Sequence, residues 1–403
     1  MSPESKLVNK SVLEDLRRKQ KKRRIIFYVC IAAVIVLILV IILSKAGVFK
    51  KKEKDNFKTS EPTVERIPFT PEGYYCFGTA GDTVIVYDEN GVTGIDTKGN
   101  WKWNVSCFAA SPVISSCGDV MLITDQGGDN VWAFSKDGLL WRYSDPFGVT
   151  GAFASGDGSN AVIFCKDEEF YTKAVYIKYE KGEIKELFNR KFGTGYMVSG
   201  AFYGNDSLVL SGVSTDSGNL TGSVNFLKKS DGQVYSTQQT DGQVYLKMGT
   251  VGGNILYAVS GESVRLMSYA QTASSEGEKN TEIWNRSGGR YKIAAAVSVT
   301  SKLFAVALAP DNVTESESSV SQVVIYNKDG EETARVNIDG VATELISEDS
   351  CLIVASGTAV TMMDSKGRVV GSADLMGATE GISYVGKKTC VVRCEDALYS
   401  VSW

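Results

Sequence analysis

Glu315 and Glu317 stand two residues apart in PDNVTESESSVS (310–321), and Asp125 to Asn130 and Asp157 to Asn160 gather side-chain oxygens around glycines. The run Asp167-Glu168-Glu169-Phe170-Tyr171 sets acids against aromatic rings. Each pattern suggests a chemistry. Two carboxylates flanking a glycosidic bond can divide acid and base duties, alternating oxygens can hold calcium, and acids mixed with exposed aromatics suit protein recognition. The glutamate pair lies in a serine-rich run where both acids would be solvated. Neither Asp/Asn/Gly cluster has the alternating spacing of a calcium loop. The third pattern remains. Asp167, Glu168, Glu169, Phe170 and Tyr171 form a candidate partner-binding loop, and no catalytic, cofactor-binding or metal residue is assigned.

The chain has 403 residues and no histidine. Every Ser-His-Asp, Cys-His or imidazole-metal scheme is thereby excluded, leaving only carboxylate, Tyr, Lys or Cys chemistry. Seven of the eight cysteines lie beyond residue 58, mostly inside apolar runs, with no Cys-x-x-Cys or metal-ligand spacing. Such thiols read as small buried hydrophobes. Cys390 and Cys394, four steps apart on one strand, would be separated by about 13 Å, too far for a disulfide.

Charge divides the chain. Residues 1–58 carry 15 Lys/Arg against five Asp/Glu, and the remainder 28 against 42. So acidic a body would be repelled by phosphate backbones, which argues against nucleic acid as a partner. Within the basic part, IIFYVCIAAVIVLILVIIL (25–43) runs 19 apolar residues without a charge. As a helix it would rise about 28 Å, enough to cross a bilayer core. RRKQKKRR (17–24) precedes it, so the positive-inside bias puts the N-terminus in the cytoplasm. The reading is a cytoplasmic basic tail (1–24), an uncleaved transmembrane helix (25–43), a polar stalk (44–63) and an extracytoplasmic domain (64–403).

The elements that would position the loop come from a repeat. VWAFSKDG (131–138) reappears as VTGIDTKG (92–99), VYIKYEKG (175–182), VNFLKKSDG (224–232), VVIYNKDG (323–330) and VTMMDSKG (360–367). Each is a short strand delivered into a polar turn closed by glycine, which tolerates the positive φ such turns need. VRLMSYA (264–270), its turn enlarged into a polar loop, fills the double interval, and ALYSVSW (397–403) ends the chain as an eighth copy. Val92 to Ala397 spans seven intervals of about 44 residues, the length of a four-stranded propeller blade. Before each copy lies an apolar strand, and before that one rich in Ala, Gly and Ser, as expected where strands crowd an axis. After the glycine turn comes an outermost strand with tryptophan, WKWNV, LLWRY or EIWNR, placed to wedge between blades. The last repeat lacks this fourth strand. VERIPF (64–69) reads as its replacement, closing the ring with both chain ends in one blade. The expected fold is all-β, an eight-bladed β-propeller of four-stranded blades preceded by one transmembrane helix. Seven blades is the alternative if 260–290 is an insertion.

VWAFSKDGLLWRY and VTGIDTKGNWKW resemble the repeats of PQQ-like propellers, and the layout is similar to that of uncharacterised single-pass, membrane-anchored propeller proteins of Gram-positive bacteria. The vicinal disulfide of the quinone-dependent members has no counterpart here, so the resemblance implies no cofactor. It implies a non-enzymatic scaffold in the envelope, binding an envelope protein or cell-wall component, while the bilayer itself is met by residues 25–43. The rival is a glycosidase or lyase using carboxylates in a central funnel. Fold alone does not choose between them.

Overall fold

Strand patterning decides the architecture. In TVIVYD (Thr83–Asp88) and VMLITD (Val120–Asp125) every residue is buried, whereas GLLWRYS (Gly138–Ser144) alternates between buried and exposed positions. A strand buried on both faces needs a sheet on each side of it, and an alternating strand marks an outer edge. The computed structural model describes residues 59–403, apart from 215–217, 241, 273–274, 286–289, 312–318 and 396. It contains 32 strands in eight four-stranded antiparallel sheets. The chain is an all-β, eight-bladed propeller.

Seven blades are simple meanders, running outward from the innermost strand in chain order. Blade 1 spans 76–105, blade 2 112–144, blade 3 149–192, blade 4 196–239, blade 5 247–285, blade 6 291–339 and blade 7 342–374. Blade 8 takes its inner three strands from Thr379–Gly386, Thr389–Cys394 and Ala397–Ser402, and its outermost from Thr63–Arg66. Val64 lies opposite Val401 and Arg66 opposite Tyr399. The VERIPF segment therefore does supply the missing strand. Blade 5 is complete, which removes the seven-blade alternative. One expectation fails there. The turn after VRLMSYA is not an enlarged polar loop, because Ser263–Thr272 and Ser275–Asn285 pair as one long hairpin, down to Thr272 opposite Ser275. Ser, Thr and Glu in SSEGEKNTE hide a strand whose pairing is set by its partner rather than by hydrophobic alternation.

Packing confirms why one blade could not stand alone. Val120, Leu122, Val131 and Trp141 of blade 2 share a cluster with Ala161, Ile163, Val175 and Ile177 of blade 3. Ile85, Tyr87 and Val92 of blade 1 likewise pack on Met121, Ile123 and Phe134 of blade 2. Ile67, from the incoming chain, joins Val84 and Val86 of blade 1 to Val391 and Leu398 of blade 8. The tryptophans act across these seams. Trp141 is buried, and its Nε1–H donates to the carbonyl of Gly158 in blade 3 at 2.9 Å. Trp103 stacks on Phe134 of blade 2 and donates to the carbonyl of Lys136. Trp101, its neighbour in WKW, does not wedge. It stays 67% exposed.

Small residues sit where large ones would collide. A Cβ on Gly94 would lie 2.3 Å from the Trp103 ring, and one on Gly200, in the innermost strand of blade 4, 2.3 Å from Phe153 of blade 3. The seven described cysteines are free. Burial pushes the Cys76 and Cys107 thiols up to about 11, so both stay protonated near neutrality. The tail, transmembrane and stalk assignments up to residue 58, and Glu315 and Glu317, lie outside the described residues.

Candidate partner-binding face

Because each blade runs up and down four times, the turns between strands one and two and between three and four emerge on one face of the ring. The loops between strands two and three, and the links to the next blade, emerge on the other. Hydrogen bonds tie loops to links on this second, loop face. Gln126 N–H donates to the Ser111 carbonyl at 2.9 Å, Lys166 N–H to that of Gly148 at 2.8 Å, and Leu375 N–H to that of Thr358 at 2.8 Å. The links are consequently ordered surface rather than slack chain.

The sequence-derived loop, 166–171, stands here between strands Asn160–Cys165 and Thr172–Glu180. Its five candidate residues divide. Asp167 turns inward: its Oδ1 accepts the N–H groups of Glu169 and Phe170, and its Oδ2 meets Lys191 Nζ at 3.0 Å. That Lys191 ammonium holds the Asp167 carboxyl below the usual carboxylate range. Asp167 thus shapes the loop. Glu168, Glu169, Phe170 and Tyr171 are exposed. Phe170 lies beneath Lys191, 5.1 Å from ring centroid to Nζ, and Tyr171 packs edge-on against Tyr196 with centroids 5.1 Å apart. The rings are held in place while their outer surfaces remain open.

The structure adds residues that sequence reasoning missed. Tyr74, Phe108, Phe147, Leu246 and Met376 all lie in blade-to-blade links on the loop face, with Phe108 75% and Met376 91% exposed. Leu220, in a loop between strands two and three, and Tyr196, at the start of an innermost strand, belong to the same face. Among the described residues the opposite face offers Val64, Trp101, Leu139 and Val369, each at the beginning of an outermost strand. Large apolar side chains exposed singly need no explanation; an arc of them confined to one face, from the blade 7/8 link round to the blade 4/5 link, does. A usable signal existed, a large apolar residue beside Gly, Pro or Ala in four of the links (PEGYY, CFAAS, DPFG, LMGA), but nothing in one link announces that the others share its face.

Lys247 is the first residue of the innermost strand of blade 5 and is exposed at the loop-face end of that strand. Desolvation by the protein around it lowers its pKa, a loss the charge of Glu344 partly offsets. Glu344, on the innermost strand of blade 7, accepts the Ile382 N–H at 2.7 Å, and burial raises its carboxyl. Between blades 2 and 3, Lys173 and Asp145 form a buried ion pair, with the lysine over Phe147 at 5.6 Å, which fixes that link and the ring it presents. Among the described residues, no three His, Cys, Asp or Glu side chains gather as a metal site.

This geometry defines a closed β-propeller presenting a loop-built apolar arc. The solved structures it matches share that fold: BamB from Moraxella catarrhalis (TM-score 0.52, 15% identity, covering 85% of this chain and 98% of that one), and Chaetomium thermophilum Sqt1 bound to the N-terminus of ribosomal protein L10 (0.53, 12%, 86% and 98%). The WD40 domain of SCAP from fission yeast also matches (0.51, 9%, 85% and 94%). At such identities the likeness is one of fold. No curated protein matches the chain. Residues 56–399 match the model of a family of unknown function, DUF5711, and the chain belongs to that family.

Proposed function

We propose that this chain is a membrane-anchored propeller acting outside the cytoplasm as a protein-interaction scaffold and not as an enzyme. One observation carries the reading: the links and loops of one face expose Tyr74, Phe108, Phe147, Leu220, Leu246 and Met376, whereas the described turns of the other face expose no large apolar side chain. An exposed ring held by a neighbouring ring or cation, as Tyr171 and Phe170 are, has little side-chain entropy left to lose on binding. The point of entry of the chain supports the same assignment. Ser60 N–H donates to the carbonyl of Val370, next to the turn face of blade 7, and Thr63 pairs with Ser402 at the turn-face end of its strand. The first described residues thus join the ring at the turn face. Among proteins of this fold, Sqt1 is bound to a protein N-terminus.

Two measurements test the proposal. Pull-down from solubilised membranes with the full chain should lose its specific partner when Phe108, Phe147 and Met376 are together changed to Asp, and keep it when Leu139 is changed to Asp. Partners unaffected by the triple change would remove the loop face from consideration. A membrane-impermeant protease added to cells whose envelope has been opened to it should digest residues 59–403. Full protection would place the propeller in the cytoplasm and refute the topology.

A further inference from the structure

The balance of charge differs between the two faces of the ring. The loop face carries Glu72, Glu89, Asp129, Glu168, Glu169 and Glu262, all exposed. On the other face acids and bases are mixed, with exposed Asp82, Asp119, Asp137, Asp206, Asp329 and Asp349 sharing the turns with Lys98, Lys136, Lys181, Lys328, Lys387 and Lys388. The loop face has bases of its own, with Lys166, Lys247 and Arg290 exposed, but two others are committed: Lys191 to Asp167, and Lys173, buried, to Asp145. Acids and rings alternate at short range. Glu72 is two residues from Tyr74, and Glu168 and Glu169 immediately precede Phe170 and Tyr171.

This alternation has a chemical preference. A guanidinium or ammonium group placed on such a surface meets a carboxylate at its edge and the negative face of an aromatic ring beneath it, two attractions that a neutral or acidic group would not receive. An acidic partner segment would instead face like charges across a few ångströms, well within the Debye length of about 8 Å at physiological salt. The structure already contains the pattern in miniature, with Lys191 between Asp167 and the Phe170 ring.

We propose that the loop face binds its partner protein through a segment rich in arginine and lysine. The inference rests on the interaction reading above and adds the chemistry of the partner. The test places a photo-crosslinking amino acid at Phe108, Phe147 and Met376, one at a time, and at Leu139 as the turn-face control, in the full chain in the membranes of its own cells. The crosslinked peptides are then sequenced. The expected result is capture from the three loop-face positions of a protein segment with an excess of Lys and Arg. Its yield should fall several-fold on raising salt from 0.15 to 0.5 M, and several-fold in the Glu168→Lys/Glu169→Lys variant, but not in Asp137→Lys. Glu168→Gln/Glu169→Gln should show an intermediate loss, separating charge from any packing defect. Capture of an acidic or uncharged segment, insensitive to salt, would overturn the partner chemistry while leaving the interaction face standing. Capture of lipid alone, or no capture above the Leu139 control, would overturn both.

Discussion

Trp141→Ala measures how much of the ring depends on neighbouring blades holding one another. The indole is almost wholly buried between blades 2 and 3, among Val120, Val131, Ala161 and Ile177, and donates to Gly158. A buried tryptophan removes roughly 200 Å² from water, worth about 5 kcal/mol at 25 cal/mol per Å². Core Trp→Ala changes fall at about 3–5 kcal/mol once partial collapse of the cavity is included. For a domain of this size each kcal/mol moves Tm by roughly 2 °C, so a fall of about 6–10 °C is expected. Trp141→Phe retains most of the area but leaves the Gly158 carbonyl without its donor, and should cost about 1–2 kcal/mol. Trp101→Ala, on an exposed ring, should stay within about 0.5 kcal/mol of the parent. Urea unfolding of the detergent-solubilised full chain, followed by far-ultraviolet circular dichroism, gives all three. Should Trp141→Ala prove no more damaging than Trp101→Ala, the blades are not interlocked by this indole, and the account of the seams is wrong.

Three further outcomes are expected. Deleting residues 398–403 removes the strand that joins Thr389–Cys394 to Thr63–Arg66, opening the ring and exposing two sheet edges; a truncated protein that melts within a degree or two of the parent would refute closure as a stabilising device. Lys387 and Lys388 form a two-residue turn with φ of 51° and 59°, a conformation that side chains resist, so Lys387→Asn with Lys388→Gly should raise stability by about 1–2 kcal/mol in urea melts. Asp157 is held below the usual carboxylate range by the Ser155 hydroxyl, and Asp82 by Lys102. Carboxyls depressed on folding contribute stability that is fully present above their unfolded pKa, about 3.9, and is lost as pH falls through their folded values. Tm should therefore decline with acidification below about pH 4, and Asp157→Asn should flatten that slope; an unchanged slope would mean that this turn does not matter to acid stability.

How the fold could be read in advance, and the face could not, follows from particular residues. VWAFSKDG and its copies are local: strand, turn and glycine occupy consecutive positions, so their recurrence counts the blades. The long hairpin at 263–285 escaped because SSEGEKNTE has the composition of a loop, and its pairing is decided by the strand opposite. Asp167 was read as a surface acid, but a lysine 24 residues away in sequence claims it.

The sequence by itself determined an eight-bladed ring joined by its own two ends, because repeat length, turn chemistry and strand polarity are properties of neighbouring residues. Only the tertiary structure decided that Tyr74, Phe147 and Met376, some 300 residues apart at the extremes, look out from the same side with acids around them. The physical reason is the antiparallel meander. Each strand reverses the direction of the chain, so the face a residue serves depends on how many strands have formed before it and on the circle they close.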